Sequence, residues 1–83
     1  MTLPSSLDLH SVPALLKHAD ALAASGTLDL SGVQQADSAG IAFLVELARR
    51  AKRQGKALRL TGAGPQIRRL TSFFELDPLL ELA

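Results

Sequence analysis

The 83-residue chain has no cysteine, which excludes disulfides and thiolate chemistry and makes an intracellular setting the default expectation. Tryptophan and tyrosine are also missing, and no recognition-helix or RNA-binding motif is present, so a nucleic-acid partner is not expected. No apolar run approaches the roughly 20 residues needed to span a bilayer. The opening MTLPSSLDLH has neither the basic start nor the long apolar stretch of a secretion signal. Only two histidines occur, His10 and His18, with at most one carboxylate near each, so no set of metal ligands is legible. Neither histidine sits in a context that would make it the base for a hydroxyl nucleophile. The glycines of the GAGP segment at 62–65 form a turn and fall short of a phosphate-binding fingerprint. The expectation is a soluble cytoplasmic protein that is not an enzyme, with no catalytic residues, metal, cofactor or direct membrane insertion.

What is present makes one small domain over residues 1–83, in the size range where folding buries only about 60% of the chain's surface and stability is marginal. A partner or a second copy would help it. Eight of the nine basic residues lie between Arg49 and Arg69, with no acid in that window, while Glu75, Asp77 and Glu81 gather near the end. Arg49, Arg50, Lys52 and Arg53 suit the end of a helix, where the dipole is negative. They also offer a basic docking surface for an acidic partner or a headgroup layer.

Residues 27–31, TLDLS, alternate like a short buried strand, 32–37 read as a polar loop, and Ser38 opens an apolar-periodic run. A strand thus delivers one serine to a helix N-terminus, where first-turn amides lack partners and the macrodipole is positive. From residue chemistry alone Ser38 is the helix N-cap. The helix is expected over 38–54, with Ile41, Leu44, Val45, Ala48 and Ala51 on one face, Phe43 and Leu47 off that stripe and free for a second surface, and Gly55 at its C′ position. Gly40 in its first turn would let something approach the backbone closely.

Before this stretch, 7–9 is expected as a strand and 11–26 as one helix capped by Ser11, with Leu15, Leu16, Ala19, Leu22 and Ala23 inward. After it, 57–61 is a second buried strand. A helix beginning at Pro65 packs through Ile67, Leu70 and Phe74 while Arg68 and Arg69 stay wet. Asp77-Pro78 then restarts a last turn or strand through Leu79, Leu80 and Leu82. Strands alternating with helices favour parallel pairing and right-handed crossovers, hence an α/β layer fold.

The run LDLSGVQQADSAGIAFLVELARRAKRQGKALRL resembles STAS domains, the fold of anti-sigma factor antagonists and of MlaB, the small cytoplasmic subunit of a bacterial phospholipid-transport ABC system. Asp37-Ser38-Ala39-Gly40, the KRQG at 52–55 and the LRLTG at 58–62 carry the likeness. It implies a single-layer sheet of about four mostly parallel strands covered by three to four helices. STAS domains usually carry a hairpin before the first helix. This chain has room for one strand there, so its sheet is expected one strand short, with an edge open to pairing, occlusion or a homodimer.

In anti-sigma factor antagonists the serine matching Ser38 is phosphorylated by a partner kinase, and in MlaB-like proteins the matching residue lies against the transport ATPase. The resemblance therefore implies a partner interface of Asp37, Ser38, Ala39, Gly40, Ile41, Phe43, Leu44 and Leu47. KRQGKALRLTG and QIRRLTSFFELDPLLEL look more like MlaB-type endings, which points first to an ABC transporter ATPase subunit at the inner face of the membrane. An anti-sigma factor kinase is the alternative.

Overall fold

The computed structural model describes residues 3–82. The first two residues of the N-terminal segment and the expected domain limits at 1 and 83 lie outside the described residues. Five strands and four helices follow in the order β1 (Ser6–Leu7), α1 (Val12–Leu16), α2 (Ala19–Ala24), β2 (Thr27–Asp29), β3 (Gln35–Ala36), α3 (Ser38–Arg53), β4 (Arg59–Thr61), α4 (Pro65–Phe73) and β5 (Glu81–Leu82). Every pairing is parallel, as the alternation of strand and helix predicts. The ladders form a two-stranded group, β1-β3, and a three-stranded group, β2-β4-β5.

Leu28, Leu30, Leu58 and Leu60 turn into the core, while Thr27, Asp29 and Arg59 alternate outward, the period-two signature of half-buried strands. The expected loop at 32–37 is instead anchored to the sheet. Its Gln34 and Gln35 amides both donate to the Ser5 carbonyl, at 2.7 and 3.1 Å, and the Asp37 amide donates to the Leu7 carbonyl at 3.1 Å. Val33 and Ala36 are buried, and two small apolar residues among polar ones gave too short a pattern to read as β3.

The expected helix over 11–26 breaks at Lys17-His18, where His18 adopts φ −111° and ψ 11°. Leu16 is left 41% exposed, whereas Leu15, Ala19, Leu22 and Ala23 reach the core. Ser11 does not cap the helix through its side chain. Its hydroxyl donates to the Ser6 carbonyl at 2.8 Å and accepts from the Asp8 amide at 3.1 Å. The chain turns at Asp8, whose carboxylate accepts from the Ser11 and His10 amides, which hold it below its ordinary range.

The face that α3 buries is rotated from the expected stripe. Gly40, Leu44, Leu47 and Ala51 form its centre, Phe43 (2% exposed) and Ile41 flank it, and Val45 and Ala48 are only half-buried. The rotation has a steric cause in Gly40. A Cβ there would collide with the Leu7 carbonyl oxygen and lie 2.8 Å from the Leu7 Cβ, so only glycine lets α3 press this face against β1. Gly55 ends the helix at φ +72°. The Lys56 amide donates to Ala51 and the Gly55 amide to Lys52, at 2.9 and 3.0 Å, as a Schellman motif requires.

Candidate functional site

Ser38 is the first residue of α3, but Asp37 is the cap. The Asp37 Oδ1 accepts from the Gly40 amide at 3.1 Å, and its Oδ2 accepts from the Leu9 amide at 3.4 Å. One carboxylate therefore closes the helix start and ties it to the turn after β1. The N-cap role expected of Ser38 is thereby corrected, because a carboxylate one residue earlier reaches the same amide. The Ser38 side chain is exposed, and no described group bonds its hydroxyl.

That hydroxyl opens on a groove of about 470 Å³ between α3 and the turn after α4. Along α3 the groove is lined by Ser38, Ala42, Val45 and Arg49, a row at i, i+4, i+7 and i+11 that shares one helix face. Ile41 forms part of its floor, and Phe74 and Leu76 form the opposite wall. The small side chains at 38 and 42 make the concavity.

Phe74 is 43% exposed, and Thr71 takes the inward place expected of it, with its hydroxyl bonded to the Ile67 carbonyl at 2.8 Å. The helix stops one residue too early to carry Phe74 into the core. At Glu75 the chain takes φ +56°. The Leu76 amide then donates to Thr71 and the Glu75 amide to Ser72, at 2.8 and 3.0 Å, closing a second Schellman turn with glutamate where glycine is usual. Phe73 meets Phe74 edge to face, ring centres 5.2 Å apart, so an aromatic pair is presented beside the groove.

The eight expected interface residues therefore divide. Asp37 and Ser38 are exposed and Ala39 half-buried. Ile41 contributes groove floor from a nearly closed position, and Gly40 is covered by Leu7. Phe43, Leu44 and Leu47 are in the core, so a partner docking on the folded domain does not touch their side chains. The second apolar surface expected of Phe43 and Leu47 is likewise absent, because the rotation of α3 buries both. Ala42, Val45, Glu46, Phe74 and Leu76 were missed as lining residues. The spacing of Ser38, Ala42 and Val45 was a usable signal for three of the lining positions.

The basic docking surface is also altered. Arg50 Nε lies 2.8 Å from Glu46 Oε2, and Arg50 Nη1 lies 3.2 Å from Asp20 Oδ1, which links α3 to α2. Arg49 and Arg53 each approach Glu46 at 3.6 Å. The hydrogen bond from Arg50 holds the Glu46 carboxyl below its ordinary range and raises the Arg50 guanidinium. Acids from outside the basic window thus occupy Arg50, while the side chains of Arg49, Lys52 and Arg53 remain exposed. His10 and His18 are exposed, and among the described residues no group of three His, Cys, Asp or Glu could hold a metal. No helix among the described residues is long and apolar enough to cross a membrane.

A family model described as "Mlab, STAS domain" matches residues 1–81. No curated protein matches the chain significantly. Among solved structures, a candidate anti-sigma factor antagonist of Thermotoga maritima has a similar fold, with TM-score 0.79 and 21% sequence identity over 96% of this chain and 74% of that chain.

Proposed function

The chain belongs to the STAS domain family, in its MlaB-like branch, and from that premise we propose that it is a non-enzymatic docking module whose Ser38-led helix meets a partner protein. The partner in this reading is the cytoplasmic ATPase of a phospholipid-transport ABC system. The chain supports the assembly or activity of that ATPase at the inner face of the membrane and touches no lipid itself.

One observation carries the reading. An exposed hydroxyl that the helix does not need for capping opens on an apolar groove walled by Phe74 and Leu76. Small groups there let a partner pack closely. A phosphate on Ser38 would add about −1.5 to −2 charges to the same contact, so phosphorylation breaks the complex in this account. The helix itself would tolerate the charge, because an anion at a helix N-terminus is stabilising by about 0.3–1 kcal/mol. The family description, which names MlaB, is what supports a transport partner.

A second reading is an anti-sigma factor antagonist that captures an anti-sigma kinase and is switched off by phosphorylation of Ser38. The description of the Thermotoga neighbour favours it, and Asp37-Ser38-Ala39-Gly40 suits it equally.

A tagged pull-down from the native lysate, with wild type and Ser38→Asp in parallel and retained proteins identified by mass spectrometry, separates the two. An ABC ATPase held by wild type and lost by the variant supports the transport reading. An anti-sigma kinase in that place supports the second. Equal retention of one partner by both proteins removes Ser38 from the interface.

A further inference from the structure

β2 stands at one edge of the three-stranded group and pairs with β4 on one side only. The Arg59 amide donates to the Gly26 carbonyl at 2.9 Å and the Leu30 amide to the Thr61 carbonyl at 2.7 Å. In a parallel ladder this pattern points the backbone groups of Thr27 and Asp29 away from β4, and among the described residues no strand meets them. The Thr27 carbonyl accepts from the exposed Ser25 hydroxyl at 3.1 Å, which leaves its second lone pair free.

The other edges offer less. Along β1 the Ser11 hydroxyl occupies both the Ser6 carbonyl and the Asp8 amide, along β3 the Ala36 amide donates to Gln66 Oε1 at 3.0 Å, and β5 is one residue shorter than β2. β2 carries no proline, lysine or bulge, the usual guards of an edge. Its one charge, Asp29, is turned onto the Ser31 amide at 2.9 Å, which also holds that carboxyl below its ordinary range. Beside the edge runs a groove of about 440 Å³ lined by Leu3, Leu22 and Leu28 and rimmed by Ser25, Thr27 and Asp29. No residue lines both this groove and the one at Ser38.

We propose that this edge binds the same edge of a second copy of the chain, antiparallel about a two-fold axis through Leu28. The register follows from parity and charge. Only Thr27 and Asp29 present outward backbone groups, so each must face one of the same two in the second copy. Centring on Leu28 sets Thr27 opposite Asp29 twice and allows four backbone hydrogen bonds. Centring on Asp29 would set two carboxylates opposite each other, which is destabilising. Centring on Thr27 would bring Asp29 opposite Ser25, beyond the strand. The chosen register joins two three-stranded groups into one six-stranded sheet and places no like charges in opposition.

The test is sedimentation of the full chain over a wide concentration range, for wild type, Thr27→Lys and Thr27→Asp. The Thr27 side chain is exposed, so both variants keep the fold, which circular dichroism verifies. Wild type is expected to dimerise reversibly, with hydrogen exchange at the Thr27 and Asp29 amides slowing as concentration rises. A lysine at 27 faces Asp29 of the second copy and tightens the dimer, whereas an aspartate there loosens it. Each shift is about fivefold, since the cross-strand pair occurs twice. A wild type that stays monomeric throughout overturns the proposal, and so does a dimer that neither substitution moves.

Discussion

Replacing Gly40 with alanine sets two effects of opposite sign against each other. Helix propensity alone favours alanine by about 1 kcal/mol in a helix interior. Sterics oppose it, because the added Cβ would collide with the Leu7 carbonyl oxygen and sit 2.8 and 2.9 Å from the Leu7 Cβ and carbonyl carbon. Ordinary carbon contacts are about 3.5–4.0 Å. Leu7 is fully buried and its carbonyl already accepts from the Asp37 amide at 3.1 Å, so β1 cannot retreat without parting from the Asp37 region. Overpacking costs about 1–3 kcal/mol, occasionally more, and a rigid backbone neighbour puts this site at or above the top of that range.

The net expectation for Gly40→Ala is a loss of about 2 kcal/mol, which in a domain of this size lowers Tm by roughly 8–16 °C. Thermal and urea unfolding measure it, with two glycines as controls. At Gly55 a Cβ meets nothing but φ is +72°, so alanine there costs about 1–2 kcal/mol from the backbone alone. At Gly32 a Cβ meets nothing and φ is ordinary, so alanine is neutral or stabilises by up to about 1 kcal/mol. A Gly40→Ala protein as stable as wild type would refute the close approach of α3 to β1.

Three further outcomes follow from the same geometry. Asp37→Ala loses the bonds to the Gly40 and Leu9 amides and should cost about 1–2 kcal/mol in urea unfolding, with Asp37→Asn retaining most of the capping. Glu75→Gly relieves a left-handed residue at φ +56° and should raise stability by about 1 kcal/mol, read as a higher Tm. The carboxyls of Asp8, Asp29 and Glu46 are held below their ordinary values of 3.8, 3.8 and 4.5. Their contribution is complete above those values and is lost as pH falls through the lower folded-state ones. Stability measured against pH should thus be flat on the neutral side and decline below about pH 4.5; a decline already present near pH 6 would contradict this.

The parts of the fold that sequence revealed are those carried by long periodic runs or by a residue with one clear conformational use. The 38–54 run gave α3 to within one residue, Gly55 gave its end, and the alternating leucines at 28, 30, 58 and 60 gave the parallel core strands. Short elements were hidden. Two residues make β3, and its pairing with Ser6 and Leu7 is a tertiary fact that no local pattern encodes. The break at Lys17-His18 was equally hidden, because residues on either side keep helical spacing.

At the candidate site, the place of Ser38 at the start of α3 was legible, but the groove beside it was not. The rotation of α3 depends on Gly40 meeting Leu7, a contact 33 positions away in sequence. That rotation sent Phe43 and Leu47 inward and left Ala42 and Val45 beside Ser38. The Arg50 network shows the same limit, since Asp20 comes from another helix.

In the proposed function Ser38 lies within a partner contact and is not needed for folding. The most direct measurement is the affinity of the retained partner for wild type, Ser38→Ala and Ser38→Asp, with each protein's Tm recorded alongside. Ser38→Ala is expected to bind within a few-fold of wild type. Ser38→Asp is expected to unfold at the same temperature or slightly higher, yet to bind about a hundredfold or more weakly, since a charge forced into a packed contact costs on the order of 3 kcal/mol. Full binding by Ser38→Asp, or a loss of binding that merely tracks a fall in Tm, would contradict that role.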